Sequence, residues 1–111
     1  MKTIPILVEE NDKTYTVLIG NNKNDNDTII KMSDQDDTWF HLDKISGPHI
    51  IFKNGGDTIP KRYFNRIASL FSEYKSNLPY KYNVIYTSVK NVKLTNTPGQ
   101  VTVTNTKTIK M

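Results

Sequence analysis

Asp37-Thr38-Trp39-Phe40-His41-Leu42-Asp43-Lys44-Ile45-Ser46-Gly47-Pro48-His49-Ile50-Ile51-Phe52 decides how the rest of this chain is read. The stretch holds the single tryptophan and both histidines. The residues after His49 are strongly β-prone, and Ser46-Gly47-Pro48 before it is a turn signal. Two apolar runs joined by a short loop at about residues 43–48 predict a β-hairpin. Pairing position 41 with position 49 makes the two imidazoles cross-strand neighbours. Trp39 and Ile51 then share their face, because side chains alternate along a strand. A tryptophan beside two histidines is either a polar corner of the core or a recognition surface.

The 111 residues predict one domain, and 36% apolar content suffices for one modest core. No run approaches the ~18 apolar residues that cross a bilayer. Residues 1–8 carry too short an apolar stretch for a signal peptide and lack a small-residue cleavage site. A cytoplasmic protein without membrane contact is therefore expected. Zero cysteines exclude disulfides, cysteine zinc sites and thiol catalysis. Charge is unevenly placed: ten acids and six bases through Asp57 give −4, while one acid and nine bases from Thr58 onward give +8. A basic half makes a local positive field, which suits a polyanion such as nucleic acid or serves only as a solvated lysine-rich surface.

Tyr15-Thr16-Val17-Leu18-Ile19 reads as a strand ended by Gly20. Residues 21–27 read as a polar loop, with Asp25, Asn26 or Asp27 as N-cap of a short helix over residues 28–32. After the hairpin comes a turn at Asn54-Gly55-Gly56-Asp57. Ile59-Pro60 opens one long amphipathic helix, ended by Leu78-Pro79, with Tyr63, Phe64, Ile67, Ala68, Leu70, Phe71 and Tyr74 on its apolar face. Residues 82–87 form a strand that residues 89–93 extend or bulge. Residues 101–104 and 108–110 predict a last hairpin. The expected fold class is α+β, a largely antiparallel sheet with the long helix packed on one face and a short second helix.

Three motifs occur in order. Gly20, Asn22, Asn26 and Asp27 lie between a strand and a helix, where exposed amides can hold an anion or simply cap and turn the chain. Asp37, Trp39, Phe40, His41, Gly47 and His49 follow. Val84, Tyr86, Thr87, Lys90, Val92 and Lys93 form the third, with Pro98-Gly99-Gln100-Val101 and Lys107-Thr108-Ile109 beyond it. These residues resemble the signatures of the NFACT-R domain, the predicted RNA-binding domain of the NFACT ribosome quality-control factors, which also occurs in small stand-alone relatives. The resemblance covers about residues 15–110, so residues 1–111 are expected to form a single domain of this kind. An arginine of the family's first motif is Asn21 here.

The resemblance implies a non-enzymatic RNA-binding domain, with tRNA or ribosomal RNA of the large subunit as partner. It brings no cofactor. The N-terminal NFACT domain, helix-hairpin-helix and coiled coil of the full factors have no counterpart in these residues, so nascent-chain extension by this chain alone is not expected. Lys61, Arg62, Arg66, Lys90 and Lys93 are the candidate phosphate contacts. Asn22, Trp39, His41 and His49 are the candidates for a more specific site, and Tyr82 and Tyr86 either stack on bases or are half-buried sheet residues. For the histidines three readings stay open: hydrogen-bonded structure, RNA contact, or catalysis and metal binding, in which Asp37 or Asp43 would have to complete a zinc site. A protein-interaction adaptor and a DNA-binding module are the rival classes.

Overall fold

Apolar residues emerge on both sides of the strands in this sequence, and the fold covers both sides. The computed structural model describes all residues, 1–111. Strands β1 (Lys2–Val8) and β2 (Lys13–Ile19) form a hairpin in full register, from Lys2 opposite Ile19 to Val8 opposite Lys13. Helix α1 (Lys23–Lys31) leads into β3 (Thr38–Leu42) and β4 (Ile50–Phe52). Helices α2 (Lys61–Ser69) and α3 (Phe71–Tyr74) follow, then β5 (Asn83–Ser88). Strands β6 (Val92–Leu94), β7 (Val101–Val103) and β8 (Lys107–Lys110) complete the chain. The main sheet runs β1-β2-β4-β3-β5-β8, and β6-β7 is a separate ribbon. Every pairing is antiparallel.

The expected hairpin register is the observed one. Trp39 lies opposite Ile51 and Phe40 opposite Ile50. The alternation then sorts the central strands onto two faces. Phe40, Leu42, Ile50 and Phe52 join Val17 and Ile19 under Tyr63, Ile67, Ala68 and Phe71 of the helical segment. Trp39, Ile51 and Leu18 point the other way, against Ile29 and Ile30 of α1 and against Val89 and Val92. Buried on both faces, β3 and β4 carry near-continuous apolar runs. No helix is long and apolar enough to cross a membrane.

The structure departs from the sequence reading in several places. Strand β1 lies outside the elements that the sequence pattern predicts. Helix α1 starts at Lys23, because the Asn22 side chain accepts the Asp25 N–H at 2.9 Å and draws the polar residues 23–27 into its first turns. The single long helix is divided at Leu70 into α2 and α3. There Ser69 Oγ donates to the Arg66 carbonyl (2.6 Å) and Ser72 Oγ to the Ser69 carbonyl (2.8 Å), competing with the helical ladder. The last hairpin does not form: β7 pairs with β6, and β8 pairs with β5. Val101 and Val103 pack in the Trp39 core whereas Ile109 belongs to the Phe40 core, so each strand follows its own apolar side chains. Thr87 holds the crossover, its hydroxyl shared between the carbonyls of Thr104 (3.0 Å) and Asn105 (3.2 Å).

Candidate nucleic-acid interface

The segment from Gly20 to Asn26, the β3–β4 hairpin and the turn at residues 97–100 meet around one cleft. Its volume is about 540 Å³, and Asn26, Trp39, His41, Gly47, His49 and Gly99 are among its lining residues. An adjoining hollow of about 370 Å³ shares Lys23, Asn26, Ser46 and Gly47, and adds Asn22 and Lys75. Backbone and side-chain bonds tie the segments together. The Gly20 N–H donates to the His49 carbonyl (3.0 Å), and the His49 N–H donates to Asn26 Oδ1 (3.0 Å). A Cβ on Gly20 would stand 2.1 Å from that same oxygen, so only glycine fits. Asp27 accepts the N–H of Gly99, whose φ of +78° is left-handed.

The two histidine rings meet at the cleft, with centroids 4.7 Å apart. Trp39 stacks parallel to His41 at 5.7 Å and meets His49 edge-on at 5.6 Å. Trp39 Nε1 donates to His49 Nδ1 at 3.1 Å, which requires that nitrogen to be unprotonated. Burial pushes the His49 pKa down to about 4, the neighbouring His41 adds to the shift, and a backbone hydrogen bond with Gly99 opposes it. Burial also lowers the pKa of His41, against backbone hydrogen bonds with Leu42 and Gly47. Both imidazoles are therefore neutral near pH 7. Trp39 and His49 are 1% and 2% exposed and form the floor; His41 is half-buried at the wall. No group of three His, Asp or Glu side chains converges to hold a metal.

The sequence candidates fall into three places. Asn22, Trp39, His41 and His49 border the cleft and its adjoining hollow. Lys61, Arg62 and Arg66 lie on α2, on the opposite side of the sheet from Trp39. Arg62 is ion-paired with Glu10, and both arginines lie over the Tyr63 ring, at 4.5 and 5.2 Å. Lys90 and Lys93 are exposed, on the segment between β5 and β7. Tyr86, in β5, stacks on Phe40 (5.6 Å), and Tyr82, just before β5, packs against the Phe40 core; both are half-buried. Asp37 is 1% exposed and occupied: it accepts the N–H groups of Asp34 and Gly55 and pairs with Lys53 at 3.1 Å. Sequence reading missed Lys23, Lys44 and Lys75, which line the cleft and hollow from three different segments. No local pattern links them; only the way the hairpin meets its neighbours brings them together.

A family model described as the NFACT protein RNA binding domain matches residues 6–106. The chain belongs to this family. Its domain class is named for RNA binding and is a binding class rather than a catalytic one. Coiled-coil domain-containing protein 25 of Mus musculus is 32% identical over 91 residues, covering 77% of this chain and 44% of that protein. The Danio rerio protein of the same name is 29% identical over 87 residues, covering 73% and 42%. The chain thus spans less than half the length of these relatives. The solved C-terminal part of the fibronectin/fibrinogen-binding protein from Streptococcus suis has the same fold, with a TM-score of 0.80 at 24% identity over 99% of this chain and 45% of that one. Of the three motifs, residues of the first two (Gly20, Asn22, Asn26, Trp39, His41, Gly47 and His49) line the cleft or its adjoining hollow, whereas those of the third do not.

Proposed function

We propose that this domain binds structured RNA, tRNA or large-subunit ribosomal RNA, as a non-enzymatic module of ribosome-associated quality control in the cytoplasm. One observation carries the reading: residues of the first two family motifs and of the turn after the third line one cleft and its adjoining hollow, which together hold lysines from three segments. Lys23, Lys44 and Lys75 supply the phosphate attraction there. His41 and Asn22 face the ligand, while Trp39 and His49 hold the wall from behind. Lys90, Lys93, Lys61 and Arg66 widen the positive field beyond the cleft.

A titration of the domain with tRNA, duplex RNA and duplex DNA at two salt concentrations tests this. Tight binding that weakens steeply with salt and prefers RNA is expected. Equal affinity for DNA would shift the assignment to a general nucleic-acid module. No binding even at low salt would reject it in favour of a protein adaptor. One feature fits that rival: an apolar groove of about 270 Å³ between β1 and α2, lined by Ile4, Leu7, Tyr63, Ile67 and Leu70.

A further inference from the structure

Asn26 is buried, 7% exposed, yet its amide is only half used. The His49 N–H can donate only to an oxygen, which fixes Oδ1 in place and leaves Nδ2 on the other branch. Nδ2 donates to no protein acceptor, and no fully enclosed side-chain nitrogen or oxygen lacks a partner. The Nδ2 group is therefore reached from outside. Asn26 lines both the main cleft and the adjoining hollow, so that opening is the cleft. Gly20 makes room for the amide, and its orientation is set by backbone. Such a fixed donor in a concave wall selects a ligand acceptor, because a mismatched ligand leaves it unpaired.

From this geometry we infer that the cleft takes one unpaired nucleotide of an RNA, with a base oxygen or ring nitrogen accepting from Asn26 Nδ2. The inference rests on the RNA-binding reading and adds to it a ligand form and a specificity-determining residue. A cleft of about 540 Å³ lies in the range that encloses a small ligand, roughly 300–1,000 Å³. Bases of an A-form duplex are stacked and paired, so a splayed nucleotide is what can enter. His41 in the wall offers a flat ring for a base to stack on, and Pro98 an apolar surface in the same cleft. Lys23 and Lys75 at the adjoining hollow suit the flanking phosphates.

The test uses two RNA hairpins with the same stem, one blunt and one with a short single-stranded 3′ overhang, on the whole chain. Wild type should bind the overhang RNA about tenfold more tightly. Asn26→Asp keeps the acceptor for the His49 N–H and removes the donor, so it should erase that preference. Asn24→Asp adds the same charge on the exposed side of α1 and should weaken both RNAs alike. In the wild type, the Asn26 side-chain NH2 resonances should shift with the overhang RNA and not with the blunt one, a readout independent of whether the variant folds. Equal binding of the two hairpins, unmoved Asn26 resonances, or a preference that survives in a folded Asn26→Asp overturns the inference while RNA binding stands. Failure of wild type to bind either hairpin overturns the RNA-binding reading itself.

Discussion

His49 shows how one side chain joins stability to the site. Its neutral ring accepts from Trp39, and its N–H holds Asn26. The imidazole titrates near 6.5 in the unfolded chain and near 4 when folded. Between those values the unfolded chain binds more protons, so stability falls as pH drops from about 6.5 toward 4 and is complete above that window. His41 shifts in the same direction. Urea unfolding at pH 7.5, 5.5 and 4 should show a loss on the order of 3 kcal/mol from His49. His49→Phe should flatten that slope, and an unchanged slope would mean the Trp39 bond is not protonation-linked. Gly20→Ala, which drives a methyl into Asn26 Oδ1, should cost about 1–3 kcal/mol by chemical denaturation. The register of Trp39 against Ile51 was legible because alternation and the Ser46-Gly47-Pro48 turn fix it. The buried role of Asp37 was not legible, since its partners lie at residues 34, 53 and 55 and a run of aspartates looks the same when solvated.

At the scale of elements, legibility followed the locality of the signal. Strand β2 and the β3–β4 hairpin carry their patterns within themselves. Helix α2–α3 shows a correct apolar face, but the break at Leu70 depends on serine hydroxyls choosing backbone carbonyls over solvent. The pairing of β7 and β8 escaped the sequence because two short valine- and threonine-rich strands next to each other favour the local hairpin. Tertiary burial in two different cores overrides that preference. Thr87 is the switch between the partners, holding Thr104, Asn105 and the Asn91 amide together. Thr87→Val keeps its shape and strands those groups, so a loss of about 1–3 kcal/mol is expected. Hydrogen exchange at residues 101–103 should speed up more than at β3; uniform change across the sheet would place the effect elsewhere.

For the whole molecule, the charge split along the sequence does not by itself say which basic residues meet at the cleft. Lysines of the acidic half, Lys23 and Lys44, line the cleft, and Lys75 of the basic half joins Lys23 in the adjoining hollow, while Arg62 of the basic half is paired with Glu10. Folding thus moves the field away from where a linear count puts it. Three clusters separate the alternatives: the cleft lysines, Lys90 with Lys93, and Lys61 with Arg66. Each phosphate that is no longer neutralised should lower the magnitude of the salt slope by about 0.7–0.9. Replacing Lys23, Lys44 and Lys75 with Gln should therefore flatten the slope for tRNA by roughly 2–3, whereas Lys61→Gln with Arg66→Gln, on the far side of the sheet, should leave it nearly unchanged. Lys90→Gln with Lys93→Gln should fall between these if the RNA extends past the cleft along β6. The reverse order, with the α2 pair dominant, would place the RNA on the helical face and remove the convergence of motifs as the guide to the interface.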